Sequence, residues 1–191
     1  MPSLPVSVSG AILVACIAIY LLSLISPIFG VDGYLALNPA YLLQRPWTIV
    51  TYMFVHASFD HLFWNMLFLF FFGIELERRV GEKTFLVIYL LSGIVAASVQ
   101  ILVFPSILVG ASGALFGIMG CLAIIAPEIR VLIFFVIPLS IRAAIVLFAL
   151  MEFLSFGAAD NIAHMAHIAG LLVGVAFGYA MRKQPKYNYS I

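Results

Sequence analysis

Three residue types capable of chemistry stand out in an otherwise apolar chain: a serine between glycines in the segment GASG at 110–113, histidines at 61, 164 and 167, and Asn65. A serine hydroxyl is a weak nucleophile until a base takes its proton, and histidine titrates close enough to neutral pH to act as that base. Attack on a carbonyl then creates an oxyanion, which needs preorganised donors. Ser112 opens a predicted helix, so the backbone around Gly110 and Gly113 offers free N–H groups and the positive end of a helix dipole. Asn65 and His61 offer side-chain donors. His61 and Asn65 are four residues apart and His164 and His167 three apart, so each pair shares one face of its helix. The chemistry these residues suggest is acyl transfer. Neither nearby acid looks placed to orient the base: Asp160 lies seven residues before His167, and Glu152 falls on a different predicted helix. The expectation is a dyad of Ser112 with His164 or His167, without a third member.

The surrounding elements must bring these groups together. Of 191 residues, 65% are hydrophobic and 9% charged, with a mean hydropathy of +1.20. That composition excludes an ordinary water-soluble domain and a nucleic-acid-binding surface, and points to an integral membrane protein. The apolar runs are too long for barrel strands, so the fold class expected is all-α. Six helices are predicted, over residues 11–29, 60–76, 84–104, 112–126, 141–156 and 161–181, in one membrane domain covering 1–191. The first run has no preceding Lys or Arg and no convincing cleavage site, so it reads as a retained helix. Residues 31–58 mix Pro, Asn, Gln, Arg and aromatics and read as interfacial, as does the Pro-interrupted stretch 131–139. Cys16 and Cys121 lie in separate apolar runs and suggest no disulfide framework.

The fourth helix has 15 residues and reaches only about 22 Å, too short for a hydrocarbon core of about 30 Å. Its preceding connection must therefore enter the membrane, which backbone tolerates only when buried in protein or lining a wet cavity. Lys and Arg number eight on the side holding the 2–3 and 4–5 connections and the C-terminal tail, against Arg45 alone on the other. The bias predicts cytoplasmic N- and C-termini in a multi-pass protein of the cell membrane. Helices 2, 4 and 6 then all start from the outer face. Ser112, His61, Asn65, His164 and His167 fall in one layer of the outer leaflet, where polar groups turn inward and mark a site. Gly113 and Gly117 on helix 4, and Gly170, Gly174 and Gly178 on helix 6, repeat at four-residue spacing and predict backbone-to-backbone packing of the two helices.

Over residues 45–180 these features resemble the rhomboid family of intramembrane serine proteases. GASG is similar to the family's GxSG motif, AHIAGLLVG at 166–174 to AHxxGxxxG, and HLFWN at 61–65 to HxxxN. Gly73, Glu77 and Gly81 fit GxxxExxxG. The resemblance implies the basic six-helix form, Ser112 as nucleophile and His167 rather than His164 as base. It also implies His61 and Asn65 at the oxyanion site, no metal or organic cofactor, and hydrolysis in or near the transmembrane segments of protein substrates. Helix 5 and the connection 155–160 would be the moving parts. Two departures are visible: Thr48 follows Trp47 where the family often has arginine, and Phe116, positioned to stack on the base, lacks a tyrosine's hydroxyl.

Plainer readings stand beside these. Ser112 suits a helix N-cap, and Asn65 and His61 suit interhelical hydrogen bonding. His164 is either a second polar member of the site or an interior group, the helix 6 glycines are packing residues, and Glu77 and His56 read as structural. The competing functions are a catalytically silent rhomboid-like binder of transmembrane clients, a small transporter, and a haem protein. A transporter would more naturally show repeated halves or a charged midplane site. Sequence leaves the oligomeric state open.

Overall fold

A computed structural model describes residues 7–25, 30–133, 136–155 and 163–182. Its helices are α1 (Val8–Ile25), α2 (Phe59–Val80), α3 (Glu82–Val103), α4 (Ser112–Ile125), α5 (Ile141–Leu154) and α6 (His164–Arg182). Four of them, α1, α2, α3 and α6, are long and apolar enough to cross a membrane, and α4 is a shorter apolar helix. The protein is thus a mostly helical membrane bundle. With 14 residues, α5 reaches only about 21 Å, short of a hydrocarbon core of about 30 Å.

Eleven of α4's 14 residues are buried, which makes it the central helix; α3 and α6 pack along it. Apolar side chains on the other helices, among them Phe70, Phe71, Val87, Leu91 and Leu172, face outward, as lipid-facing surface requires.

Several expected boundaries move. α2 continues four residues past the expected end at 76, through the charge cluster. Glu75 pairs with Arg78 and Arg79 at 2.6 Å on its own helix, and such pairs support a helix beyond the lipid. Gly81, at φ 82°, then breaks it. Glu77 faces inward instead: its carboxylate accepts from the N–H of Val8 at 2.8 Å, the N–H of Ser9 at 2.9 Å and the Ser9 hydroxyl. It caps α1 in trans, satisfying amides that a helix start leaves without partners.

The interfacial stretch around 131–139 is a β-hairpin, β1 (Arg130–Ile133) antiparallel to β2 (Ile137–Ser140), with Arg130 opposite Ser140. A two-stranded ribbon has only edge strands, so Pro138 is accommodated. Ser140 then caps α5 by accepting from the Ala143 N–H at 3.2 Å. The expected last residues of helix 1, 26–29, the start of helix 6 near Asn161 and the connection 156–160 with Asp160 lie outside the described residues.

The segment 31–58 folds into short helical turns. Arg45 binds the Gly33 carbonyl at 2.8 Å and Trp47 the Tyr34 carbonyl at 3.2 Å. Thr48 is buried and donates its hydroxyl to the Arg45 carbonyl at 2.7 Å, so the Arg45–Thr48 turn is fastened without an arginine after the tryptophan. Leu37 and Leu108 exchange backbone hydrogen bonds at 3.0 and 2.8 Å, joining this platform to the connection before α4. That connection is exposed through Ile107 and buried at Leu108, Gly110 and Ala111. Its non-helical backbone is therefore covered by protein as it approaches Ser112.

Candidate active site

The approach of α4 to α6 is closer than any side chain would allow. A Cβ on Gly170 would lie 2.0 Å from the Gly113 carbonyl oxygen, and one on Gly174 1.8 Å from that of Gly117. A Cβ on Gly117 would fall 2.1 Å from Ser92 Oγ of α3. Gly113, Gly117, Gly170 and Gly174 are thus the contact surface itself, as the four-residue spacing predicts.

This packing brings Ser112 Oγ to 2.8 Å from His167 Nε2. The N-cap position is taken by Ala111, which makes no side-chain cap. Ser112 is the first helical residue, and its hydroxyl is engaged with the histidine rather than with its own helix. Phe116, one turn on, stacks on His167 at 4.5 Å between ring centroids and 8° between planes, fixing the imidazole by packing alone. From α3, Gln100 Oε1 accepts the Ala166 N–H at 3.3 Å, one of the amides left unpaired where α6 begins.

Asn65 is buried and donates from Nδ2 to the His61 carbonyl at 2.8 Å, while its Oδ1 has no partner among the described residues. Since amide oxygen and nitrogen are assigned from the hydrogen-bond network, the firm observation is position: Asn65 and Ser112 line one cleft of about 190 Å3. The walls are Trp64 and Phe68 of α2, Leu115, Phe116 and Met119 of α4, and Phe148 of α5. The cleft therefore opens between α2 and α5 above α4.

Gly110 serves differently from the expectation. Its N–H donates to the Tyr52 carbonyl at 2.9 Å, so it is not a free oxyanion donor. Its φ of 105° and the 2.5 Å between its would-be Cβ and His61 Nε2 explain the glycine: the imidazole lies against bare backbone. Gly113, second in the helix, retains the geometry of a first-turn amide. His56 sits 5.1 Å from His61, ring to ring. Burial, with a smaller contribution from His61, lowers its pKa to about 4, so His56 is neutral at physiological pH and fits a structural role.

The carboxylate expected to be remote is present. Glu152 Oε2 lies 2.6 Å from His164 Nδ1 and Oε1 lies 2.9 Å from His167 Nδ1. The first contact is a hydrogen bond. The second is a contact at ion-pair distance, and His167 Nδ1 makes no hydrogen bond to any other group among the described residues. One signal was available in the sequence, a lone acid in the apolar helix IRAAIVLFALMEFL, since ionisable groups at such positions mark sites.

The arrangement defines a class: a helical membrane protein whose interior presents a serine hydrogen-bonded to a histidine beside an apolar cleft. Residues 43–184 match the Rhomboid domain. The chain is 36% identical over 155 residues to RHOMBOID-like protein 6, mitochondrial, of Arabidopsis thaliana, covering 76% of this chain and 47% of that protein. It is 36% identical over 150 residues to Rhomboid-like protease 3 of Toxoplasma gondii (74% and 54%), and 29% over 174 residues to Rhomboid protease GlpG of Yersinia pestis (88% and 60%). The chain belongs to the rhomboid family. It spans about half the length of these relatives.

Proposed function

We propose that this protein is an intramembrane serine endopeptidase that hydrolyses peptide bonds in or near transmembrane segments, with Ser112 as nucleophile and His167 as general base. The observation that carries the reading is the 2.8 Å contact between Ser112 Oγ and His167 Nε2. As Oγ bonds to the scissile carbonyl carbon, its proton passes to Nε2. Asn65, His61 and the first-turn amides of α4 stabilise the oxyanion. Collapse breaks the C–N bond, and Nε2–H protonates the leaving amine. Water, deprotonated by the same nitrogen, then hydrolyses the acyl-serine and restores the hydroxyl.

The apolar walls of the cleft suit a substrate arriving from lipid, and small or helix-breaking residues near the cut would ease its unwinding. Transmembrane proteins are the partners this implies, with the lipid bilayer as the medium. The Lys/Arg distribution supports a cell-membrane protein with cytoplasmic termini and a site opening outward. A silent client-binding role is the alternative, and a paired serine and histidine speak against it.

The test is fluorophosphonate labelling together with cleavage of a model transmembrane substrate in liposomes. Both are expected in the wild type and lost in Ser112→Ala and His167→Ala. Cleavage persisting in Ser112→Ala would sink the mechanism, and loss in His164→Ala but not His167→Ala would reassign the base.

A further inference from the structure

Glu152 belongs to a helix whose neighbouring residues face outward: Met151 is 56% exposed, Phe153 68% and Leu154 73%. Its own side chain is folded inward to 16%. An anion in an apolar layer is costly unless paired. Here both carboxylate oxygens are used, one on each of two imidazoles one helical turn apart on α6. A simple tie between α5 and α6 would need only the 2.6 Å bond to His164. The second oxygen instead reaches the ring of His167 at the nitrogen remote from Ser112, a nitrogen that is otherwise buried without a partner among the described residues.

We infer that Glu152, bridging His164 and His167 from α5, is a positioning residue that holds the base with its Nε2 lone pair toward Ser112. The inference rests on the serine-protease reading and extends it from two residues to three. An ionised carboxylate only accepts, so a carboxylate at Nδ1 selects the tautomer with the proton on Nδ1 and leaves Nε2 free to take the serine proton. When Nε2 is protonated during attack, the imidazolium gains a counter-charge at 2.9 Å. His164, holding the other oxygen, keeps the carboxylate from turning toward solvent. The groups facing His167 are then Ser112 and Phe116 from α4, Glu152 from α5, His164 on its own helix and His61 from α2.

Because Phe148 and Glu152 lie four residues apart on α5, the wall of the cleft and the orienting carboxylate move together. A displacement of α5 that widens the cleft also withdraws the carboxylate, so the base is fully oriented only when α5 is seated.

The decisive variant is Glu152→Leu, which removes the carboxylate at similar side-chain size and leaves the Nδ1 groups of His164 and His167 without their acceptor. The full chain is reconstituted in nanodiscs with a model transmembrane substrate. The expected result is a lowered melting temperature with folding retained, since two buried groups lose their acceptor. kcat falls at least about tenfold, bounded by the about 10⁴-fold lost when a buried triad aspartate becomes an amide, and KM changes little. Imidazole nitrogen-15 shifts are expected to show His167 losing its single Nδ1–H tautomer, and Glu152→Asp, which keeps the charge on a shorter arm, recovers part of kcat.

Wild-type kcat and an unmoved tautomer in Glu152→Leu would overturn the inference and leave the serine mechanism standing. A fall in melting temperature with kcat intact would overturn it too, marking a structural tie. If Glu152→Leu does not fold, Glu152→Gln, which removes the charge at the same size, decides: kcat and tautomer both at wild-type values overturn the inference. If the wild type neither labels nor cleaves, the protease reading falls first and the inference falls with it.

Discussion

Gly170→Ala tests whether helix packing sets the chemistry. The added Cβ would sit 2.0 Å from the Gly113 carbonyl oxygen, whereas a carbon meets an oxygen at about 3.3–3.6 Å. The helices must therefore part by about 1.4 Å at that level, at a cost of about 1–3 kcal/mol for overpacking. Backbone cannot swing aside as a side chain can. Gly170 is one turn from His167 and Gly113 adjoins Ser112, so most of the displacement reaches the 2.8 Å Ser112–His167 contact and carries it beyond hydrogen-bonding range. Misplacement by about 1 Å costs on the order of 10²-fold in rate. Cleavage in liposomes is expected to fall by about that factor, with fluorophosphonate labelling slowed in parallel and cooperative thermal unfolding retained. Gly178→Ala is the control. Its Cβ would meet the Ile124 side chain at 2.7 Å and the Cys121 carbonyl at 3.0 Å, about 12 Å further along the helix, and its effect on rate should be only a few-fold. A folded Gly170→Ala protein that cleaves as fast as Gly178→Ala would refute the reasoning.

Two further substitutions separate chemistry from support. Asn65→Ala should lower kcat by about 10²–10³-fold with little change in KM, the loss typical of one oxyanion donor; a wild-type kcat would leave Asn65 as interhelical glue. Glu77→Ala strips the Val8 and Ser9 amides of their acceptor, and hydrogen bonds to charged groups contribute about 1.5–3 kcal/mol each. The melting temperature should drop while the folded fraction labels at the wild-type rate. Labelling lost without any change in melting would contradict that assignment.

What sequence could reveal follows the range of each interaction. Ser112, His167, Asn65 and the glycine faces were readable because each depends on helical periodicity and on where a helix begins. Glu152 was not. Periodicity places it on α5, but the rotation of α5 about its own axis is decided by packing against α4 and α6, and α5 is lined with apolar residues on most sides. Gln100 escaped for the same reason, since an amide on α3 gives no local sign that it caps α6. The amide of Gly110 looked available because its acceptor, the Tyr52 carbonyl, lies 58 residues away. At the end of α2, the helix runs past the expected boundary at 76 because Glu75 pairs with Arg78 and Arg79 one turn on. The hairpin at 130–140 was disguised by a proline that only edge strands tolerate.

The backbone link between Leu37 and Leu108 gives the platform of residues 31–58 a further meaning. Tyr34, Tyr41, Trp47 and Leu43, the last 93% exposed, are the aromatic and apolar side chains that settle at the boundary of lipid and water. Through that link and the Tyr52–Gly110 hydrogen bond, the boundary is tied to the start of α4. For a protease of the kind proposed, the platform is a depth gauge: Ser112 is suspended a set distance beneath one surface, indifferent to where the opposite surface lies. Substrates would be measured from the outer side inward, and a thicker bilayer would leave the cut at the same residue.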